Sequence, residues 1–388
     1  MFEDTTLGEV LDFYNGKAIK PGGEGRFPAF GSNGVIGCSD EYRFDEGIVI
    51  GRVGAYCGSV VYYPGKFWAS DNTIVVKPKD ELSSTRFFAY LLTAMNLNRH
   101  AGGAAQPLVT QGTLKAVPAQ VPGPPEQRRI ASILSAYDDL IENNTRRIAI
   151  LEEMARRIYE EWFVHFRFPG HESVRMVESE LGAVPEGWNP TTLGATCAYI
   201  NRGIAPKYDD TAQGVVINQK CIRGQRLSLS ESRRQSKPVP REKSVKPGDV
   251  LINSTGVGTL GRVAQVMETL EHCTVDTHVS IVRPSSEVDT DFFGLALLSK
   301  QAHFEAQGVG STGQTELSRA RISDTEILMP PHLLQEQFGK LVRPMRLLAV
   351  RLQAKNGNLR ATRDFLLPKL ISGELDVSTM PKPEDVAA

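Results

Sequence analysis

Two stretches of the chain carry apolar residues at alternating steps of three and four. From Glu126 to about His165 they fall at Ile130, Leu134, Tyr137, Ile141, Ile148, Leu151, Ala155, Ile158 and Trp162, with a polar interruption at Asn144. The second stretch runs Leu334, Phe338, Leu341, Met345, Leu348, Leu352, Leu359 and Leu366, interrupted at Lys355 and Thr362. Such spacing puts an apolar stripe along one side of a helix, and over four turns or more it is a heptad seam. Shifting the first seam by 211 positions lays it on the second and puts Asn144 on Lys355. A polar residue at a seam position commonly sets the register of a helix pair. One amphipathic helix lying on its own domain explains the spacing but not the matched interruptions. Helices of this length span roughly 55 Å at 1.5 Å per residue, more than a small domain covers. The pattern therefore predicts two long antiparallel helices forming a coiled coil about a pseudo-twofold axis. Pro344 is expected to kink the second helix or delay its start, and Gly357 to weaken its middle. The pairs that open the helices, Glu126-Gln127 and Glu336-Gln337, align at an offset of 210.

The segments before the helices also repeat. Each opens with the same tripeptide, Thr6-Leu7-Gly8 and Thr192-Leu193-Gly194. Each has a Gly-led apolar run ending in a glycine-rich turn, Gly47 to Gly54 and Gly248 to Gly256. A further run closes with Val76-Lys77-Pro78 or Val282-Arg283-Pro284, and Phe87-Phe88 or Phe292-Phe293 begins a short apolar helix. A proline pair, Pro124-Pro125 or Pro330-Pro331, then precedes each long helix. Short β-branched runs bounded by Gly, Pro and Asn read as strands. The fold class is α+β: two mixed, mostly-β domains separated by the two helices, as a pseudo-twofold internal repeat.

Composition changes this picture little. The chain has 388 residues, 41% of them hydrophobic, enough for two or three domains with ordinary cores. No apolar run reaches the ~18 residues that cross a bilayer, and the start of the chain does not read as a signal peptide. Cys38, Cys57, Cys197, Cys221 and Cys273 are odd in number and scattered, which fits a reducing, cytoplasmic setting. The formal net charge of -1 does not announce nucleic acid. From Asn201 to Lys246, however, 11 Lys or Arg stand against 4 Asp or Glu. That excess is either a solvated loop or a footprint for phosphate.

No catalytic constellation is present. There is no phosphate-binding Gly-Lys-Ser/Thr loop, no paired-cysteine or His-Glu-x-x-His zinc spacing, and Asn189-Pro190 is followed by Thr191 rather than by the residues of an amino-methyltransferase tetrapeptide. His272, Cys273, Asp276 and His278 are the nearest approach to a metal site. Asp276-Thr277-His278 also matches Asp71-Asn72-Thr73, so a role in the repeat is preferred over metal binding. Gly256 to Gly261 has glycines like those of a dinucleotide loop, but no helix pattern follows it.

At the helix boundaries the residues resemble a known family. Pro124-Pro125-Glu126-Gln127-Arg128-Arg129-Ile130, running into Ile133 to Asp139, is similar to the first helical spacer of specificity subunits of Type I restriction-modification systems. Trp162 to Phe166 resembles the close of that spacer, Val184-Pro185-Glu186-Gly187-Trp188 the start of the second recognition domain, and Phe30 to Gly34 a turn common in these domains. Leu367 to Leu375 is like the end of the second spacer. The chain departs from the pattern in what precedes Thr6 and in carrying Pro344. The resemblance implies target-recognition domains at 1–123 and 184–331, helical spacers at 124–183 and 332–375, and a flexible tail at 376–388. It also implies a cytoplasmic, non-enzymatic subunit that binds double-stranded DNA, each domain reading half of an asymmetric, interrupted target. Implied partners are two methyltransferase subunits and the motor-nuclease subunits, with no membrane. No cofactor is expected in this chain; S-adenosylmethionine, ATP and Mg would serve the other subunits, which carry the adenine-N6 methyltransferase and ATP-dependent endonuclease activities. The rival reading is a coiled-coil scaffold whose β-rich domains bind another ligand.

Base reading needs directional donors and acceptors, and turns beside glycine let a backbone approach a groove. The candidates in the first domain are Lys17, Arg26, Ser32, Asn33, Arg52, Tyr56, Lys66 and Gln106. In the second they are Lys207, Asn218, Lys220, Arg223, Arg233, Arg234, Thr255, Arg262 and Gln314. Each is also explained as an exposed polar loop residue, and Asn33 and Thr255 as turn formers. Asn144 and Lys355 are the candidate register pair. Trp162, Phe163 and Phe166 are either a partner dock or helix-end packing. Arg128-Arg129, Arg146-Arg147 and Arg156-Arg157 read as a solvated helix face.

Overall fold

The computed structural model describes residues 2–20, 22–103, 107–179, 182–308 and 316–378. The chain divides into two compact units, one drawn from Met1–Asn143 and Lys355–Ala388, the other from Asn144–Ala354. Gln106 and Gln314 lie outside the described residues, as does most of the expected tail.

The first unit holds a four-stranded antiparallel sheet in the order Leu11–Asn15, Thr73–Pro78, Gly47–Gly51, Val60–Tyr63. Beside it, Phe27–Gly31 pairs antiparallel with Gly34–Ser39 and parallel with Trp68–Ala69. Phe2–Thr6 pairs with Pro118–Pro122. The second unit repeats every one of these pairings. Its four strands run Cys197–Arg202, Val279–Pro284, Val250–Asn253, Val263–Gln265. Gly214–Ile217 is flanked by Arg233–Gln235 and, in parallel, Cys273–Val275, and Asn189–Thr192 pairs with Glu326–Met329. The shared tripeptide has a physical reason. Leu7 and Leu193 are fully buried, and their amides donate to Val117 O at 2.9 Å and Thr325 O at 3.0 Å, closing each domain on its own start.

Hydrogen bonding corrects one matched segment. Ser70 N bonds Phe30 O and Asp276 N bonds Ile217 O, so Asp276 corresponds to Ser70 and His278 to Asn72. The carbonyls next door are approached by Gly16 and Gly203. A Cβ at Gly16 would stand 1.8 Å from Ser70 O, and one at Gly203 1.7 Å from Val275 O, so only glycine fits either place.

The long helices span Pro124–Tyr159 and His332–Ile371, the first continued by a π-turn at Glu160–Val164. The second starts at His332 and runs through the exposed Pro344, so the proline does not delay its start. In the first unit, Ile130, Leu134, Leu370 and Ile371 join the core of the β domain. Asn356 Nδ2 donates to Ile141 O at 3.2 Å, and Arg363 meets Asp138 at 2.5 Å. In the second unit, Ile148 packs with Ala349 and Leu352, while Ala155, Tyr159, Leu334, Phe338 and Val342 enter the domain core.

Three expectations about the helices are corrected here. Leu341 and Leu348 are exposed at 43% and 38%; Val342 and Ala349 are the buried residues, because a period of 3.6 drifts off a strict heptad. Lys355 is exposed, and the buried polar residue matching Asn144 is its neighbour Asn356. Phe163 is 7% exposed and packs against Phe292, Phe338 and Trp188, so it is core, with Trp162 and Phe166 half-buried at the rim of that aromatic cluster. At the other end Val377 is fully buried and Ser378 O accepts from Arg129, so the chain stays held to Ser378.

Each β domain is clipped to its helix by a buried glutamine. Gln127 accepts from Ser84 N at 3.0 Å and donates to Pro122 O at 2.8 Å. Gln335 accepts from Asp289 N at 3.1 Å and donates to Pro330 O at 2.8 Å. The residue matching Gln127 is thus Gln335, not the exposed Gln337. Replacing either amide by leucine leaves a buried N–H and a buried C=O without partners. Gln127→Leu or Gln335→Leu is expected to cost roughly 2–4 kcal/mol, against under ~0.5 kcal/mol for Gln337→Leu, in urea unfolding of the full chain.

Candidate nucleic-acid interface

The four-stranded sheet of each domain ends in a set of loops that knit to one another through backbone groups. In the first domain Ser32 Oγ donates to Asn72 O at 2.7 Å and accepts from Val53 N at 3.3 Å. Arg52 N bonds Asn72 O, Gly54 N bonds Pro107 O, Lys17 N bonds Ala69 O, and Gln111 Nε2 bonds Asn15 Oδ1 at 2.9 Å. Turns from five parts of the sequence therefore share one end of the sheet. Lys17, Asn33, Tyr56 and Asn72 are exposed on it. Arg52 is half-buried there, its Nε without a hydrogen-bond partner among the described residues.

The second domain builds the same platform with other side chains. Ser254 N bonds His278 O, and Leu317 N bonds Ser254 O. Thr255 Oγ1 meets His278 Nδ1 at 2.6 Å. Asn253, fully buried, donates from Nδ2 to Gln219 O and Thr259 O, both at 3.0 Å, and so holds the turn that projects Val257, 80% exposed. Arg262 Nη2 braces that turn at Gly258 O, and Arg202 pairs with Glu316 at 2.6 Å. Burial raises the Asp276 carboxyl above its ordinary value, opposed by the His278 amide, whose N donates to Asp276 Oδ1 at 2.8 Å. Lys220 is exposed beside this platform. Asn218 is spent on structure, accepting from Lys220 N and donating to Glu231 O.

The remaining candidates lie elsewhere. On the small sheet of the first domain, Lys66 sits 4.4 Å from the Tyr42 ring, which lies 5.1 Å from Phe27, itself under Arg26 at 5.8 Å. On the second domain's small sheet, Arg233 covers Tyr208 at 3.5 Å, Arg234 reaches Gln213 O at 3.0 Å, and Lys207 is exposed nearby. Arg223 is exposed on a two-residue hairpin whose other strand carries Arg226, bonded to Glu152 of the first long helix. The structure thus separates the candidates into a loop platform and a cationic, aromatic sheet edge in each domain.

Asn15, Asn72, Gln111 and His278 belong to the platforms and are not among the DNA-reading candidates drawn from the sequence. The signal for Asn72 and His278 is their place just before a strand in both repeats, which a one-residue shift between the repeats conceals. Exposed amides, hydroxyls, imidazole and guanidinium groups on a rigid backbone can hydrogen-bond base edges and phosphates. Among the described residues no group of three His, Cys, Asp or Glu could hold a metal ion, and no helix is long and apolar enough to cross a membrane.

Known proteins resemble both the sequence and this architecture. Residues 2–153 match the family described as Type I restriction modification DNA specificity domain. The chain is 28% identical over 330 residues to the Type I restriction enzyme MjaIX specificity subunit of Methanocaldococcus jannaschii, covering 78% of this chain and 72% of that one. Over 159 residues it is 35% identical to the Type I restriction enzyme EcoprrI specificity subunit of Escherichia coli, 39% of each chain. The crystal structure of a Type-I restriction-modification system S subunit from M. genitalium shares the fold, with a TM-score of 0.69 at 18% identity over 96% of both chains. The chain is thus similar to specificity subunits of Type I restriction-modification systems, with the DNA specificity domain matched in its first 153 residues and the fold shared over nearly its whole length.

Proposed function

We propose that this subunit reads an asymmetric DNA target in two halves, one per domain, and that the antiparallel helix pair, a coiled coil, sets the gap between them. The observation that carries this reading is the repetition of one backbone platform with two different sets of exposed side chains. Platforms of equal geometry would approach a duplex in the same way, and different side chains would then select different bases. Half-sites read from one face of a duplex lie about one helical turn, ~34 Å, apart or somewhat more, a separation that helices of roughly 55 Å can hold. Two methyltransferase subunits and the motor-nuclease subunits are the proposed partners, and S-adenosylmethionine, ATP and Mg would be bound by them. Much of the phosphate binding would come from the methyltransferases, consistent with a net charge of -1 here.

Methylome sequencing of cells expressing the chain with its methyltransferase tests the reading directly. The expected motif is split and asymmetric, and exchanging one domain changes one half of it alone. A motif that is continuous, or that changes in both halves, contradicts the proposal.

The exposed cations and the platform braces should also behave differently. Lys220→Ala and Arg223→Ala are expected to weaken duplex binding by the assembled methyltransferase, with unchanged thermal stability. Each should lower the salt slope by about 0.9 for every phosphate that the wild-type side chain neutralises. Ser32→Ala instead removes the bond to Val53 N and should lower stability by about 1 kcal/mol. Fluorescence anisotropy at several salt concentrations and thermal melts distinguish the two.

A further inference from the structure

The matched turns of the two platforms differ at their tips. Strand register sets Asn253 of the second domain at the place of Gly51 in the first. Each accepts from a left-handed glycine that closes the turn, Gly261 N to Asn253 O and Gly58 N to Gly51 O, both at 2.8 Å. Neither glycine has room for a Cβ, which would stand 2.4 Å from Glu305 N or from Asn98 N. The two turns are therefore one device, but the second carries one more residue between these points. Its tip presents Val257, 80% exposed, where the first turn presents Tyr56, 60% exposed.

A single exposed valine is ordinary on a protein surface. Val257 is set apart by how its turn is held. Asn253 Nδ2 donates to Thr259 O at 3.0 Å, Arg262 Nη2 to Gly258 O at 2.8 Å, and the Thr259 and Leu260 amides both donate to Gly256 O. Gly256 has a φ of +110°, and a Cβ there would meet Thr259 Oγ1 at 2.3 Å, so only glycine can precede Val257. Asn253 Oδ1 and Gln219 Oε1 are buried beneath the turn without partners among the described residues, which costs desolvation. The first domain closes its turn with glycine at the place of Asn253, so the fold does not require this bracing. The bracing serves the tip, and a side chain branched at Cβ adds little freedom of its own.

Polar groups flank the valine. Lys220 follows Gln219, whose carbonyl Asn253 also holds, and Thr255 meets His278. In the major groove the apolar group that a base edge displays is the C5 methyl of thymine. We infer that Val257 is a specificity-determining residue of the second domain, packing against the methyl of one thymine in its half-site. A side chain with neither donor nor acceptor leaves the polar edge of any other base unanswered at that point. Tyr56, whose hydroxyl both donates and accepts, carries no such preference, so matched turns read different chemistry. The inference rests on the proposed two-half reading and names one contact within it.

The test uses the full chain assembled with its methyltransferase and the duplex that methylome sequencing defines. Each thymine of the second half-site, on either strand, is replaced in turn by deoxyuridine, which removes the methyl alone. One replacement is expected to weaken binding about fourfold, the effect of taking one methyl-sized group out of an apolar contact. Val257→Ala should bind the intact duplex more weakly by a similar factor, and the same uridine should then change nothing further. Uridines in the first half-site should act alike on both proteins. Melting temperature and copurification with the methyltransferase should be unchanged in the variant, because the side chain is exposed. The inference is overturned if no uridine loses its effect in the variant, or if the second half-site contains no thymine. It is also overturned if Val257→Ala weakens every duplex alike or releases the methyltransferase. A continuous motif counts against the two-half reading and is seen in the methylome before any uridine is placed. A split motif in which no thymine methyl is coupled to Val257 counts against this inference alone.

Discussion

A buried amide at the first turn of each long helix is the contact on which the rest of this structure depends. A glutamine side chain out of water must satisfy both its oxygen and its nitrogen, and Gln127 and Gln335 do so with one backbone group before the helix and one at the cap of the short helix. Three pieces of chain are thereby fixed to one another within each unit. Without that constraint the joint after the proline pair would be an ordinary linker, and a helix of any length would say little about where its domain points. Buried networks of this kind are demanding because each unmet partner is expensive in a low-dielectric interior. The ion pairs of Arg86 with Asp139 and of Arg346 with Asp291 reinforce the same joints a few turns further on.

Framework and candidate reading surface are kept apart in both domains. The framework is made of side chains that serve the backbone: Ser32, Asn218, Asn253 and the glycines whose Cβ would strike a carbonyl. The surface is made of groups left over once the turns are built, such as Asn33, Tyr56 and Asn72 in one domain and Lys220, Val257 and His278 in the other. The proposed reading needs this separation, since the surface would have to differ between half-sites while the platform still forms.

Much of the architecture is legible in the residues because it rests on long periodic patterns and on repetition. The two helices, the two β domains and the clipping of each by its start tripeptide all leave local signatures. The departures have physical reasons. The apolar spacing on the second helix assigns Leu341 and Leu348 to the seam, but the drift of a 3.6 period turns them outward and brings Val342 and Ala349 in. The same one-residue drift favours Lys355 over Asn356. Phe163 resembles a dock because an aromatic cluster at a helix end reads alike whether it faces a partner or its own core. Turn residues are the hardest to judge, since a serine that caps a backbone amide and one that meets a base have the same neighbours in sequence.

The central claim is that the helix pair measures the gap between two independently read half-sites. Adding one heptad to each long helix, beside Asn144 and beside Asn356, lengthens the pair by about 10 Å while keeping the seam in phase. The motif methylated by the resulting complex should keep both half-site sequences and widen its gap, by up to about three base pairs at the rise of a ten-pair turn of ~34 Å. An unchanged gap, or a motif whose half-sites change with the insertion, would contradict the account.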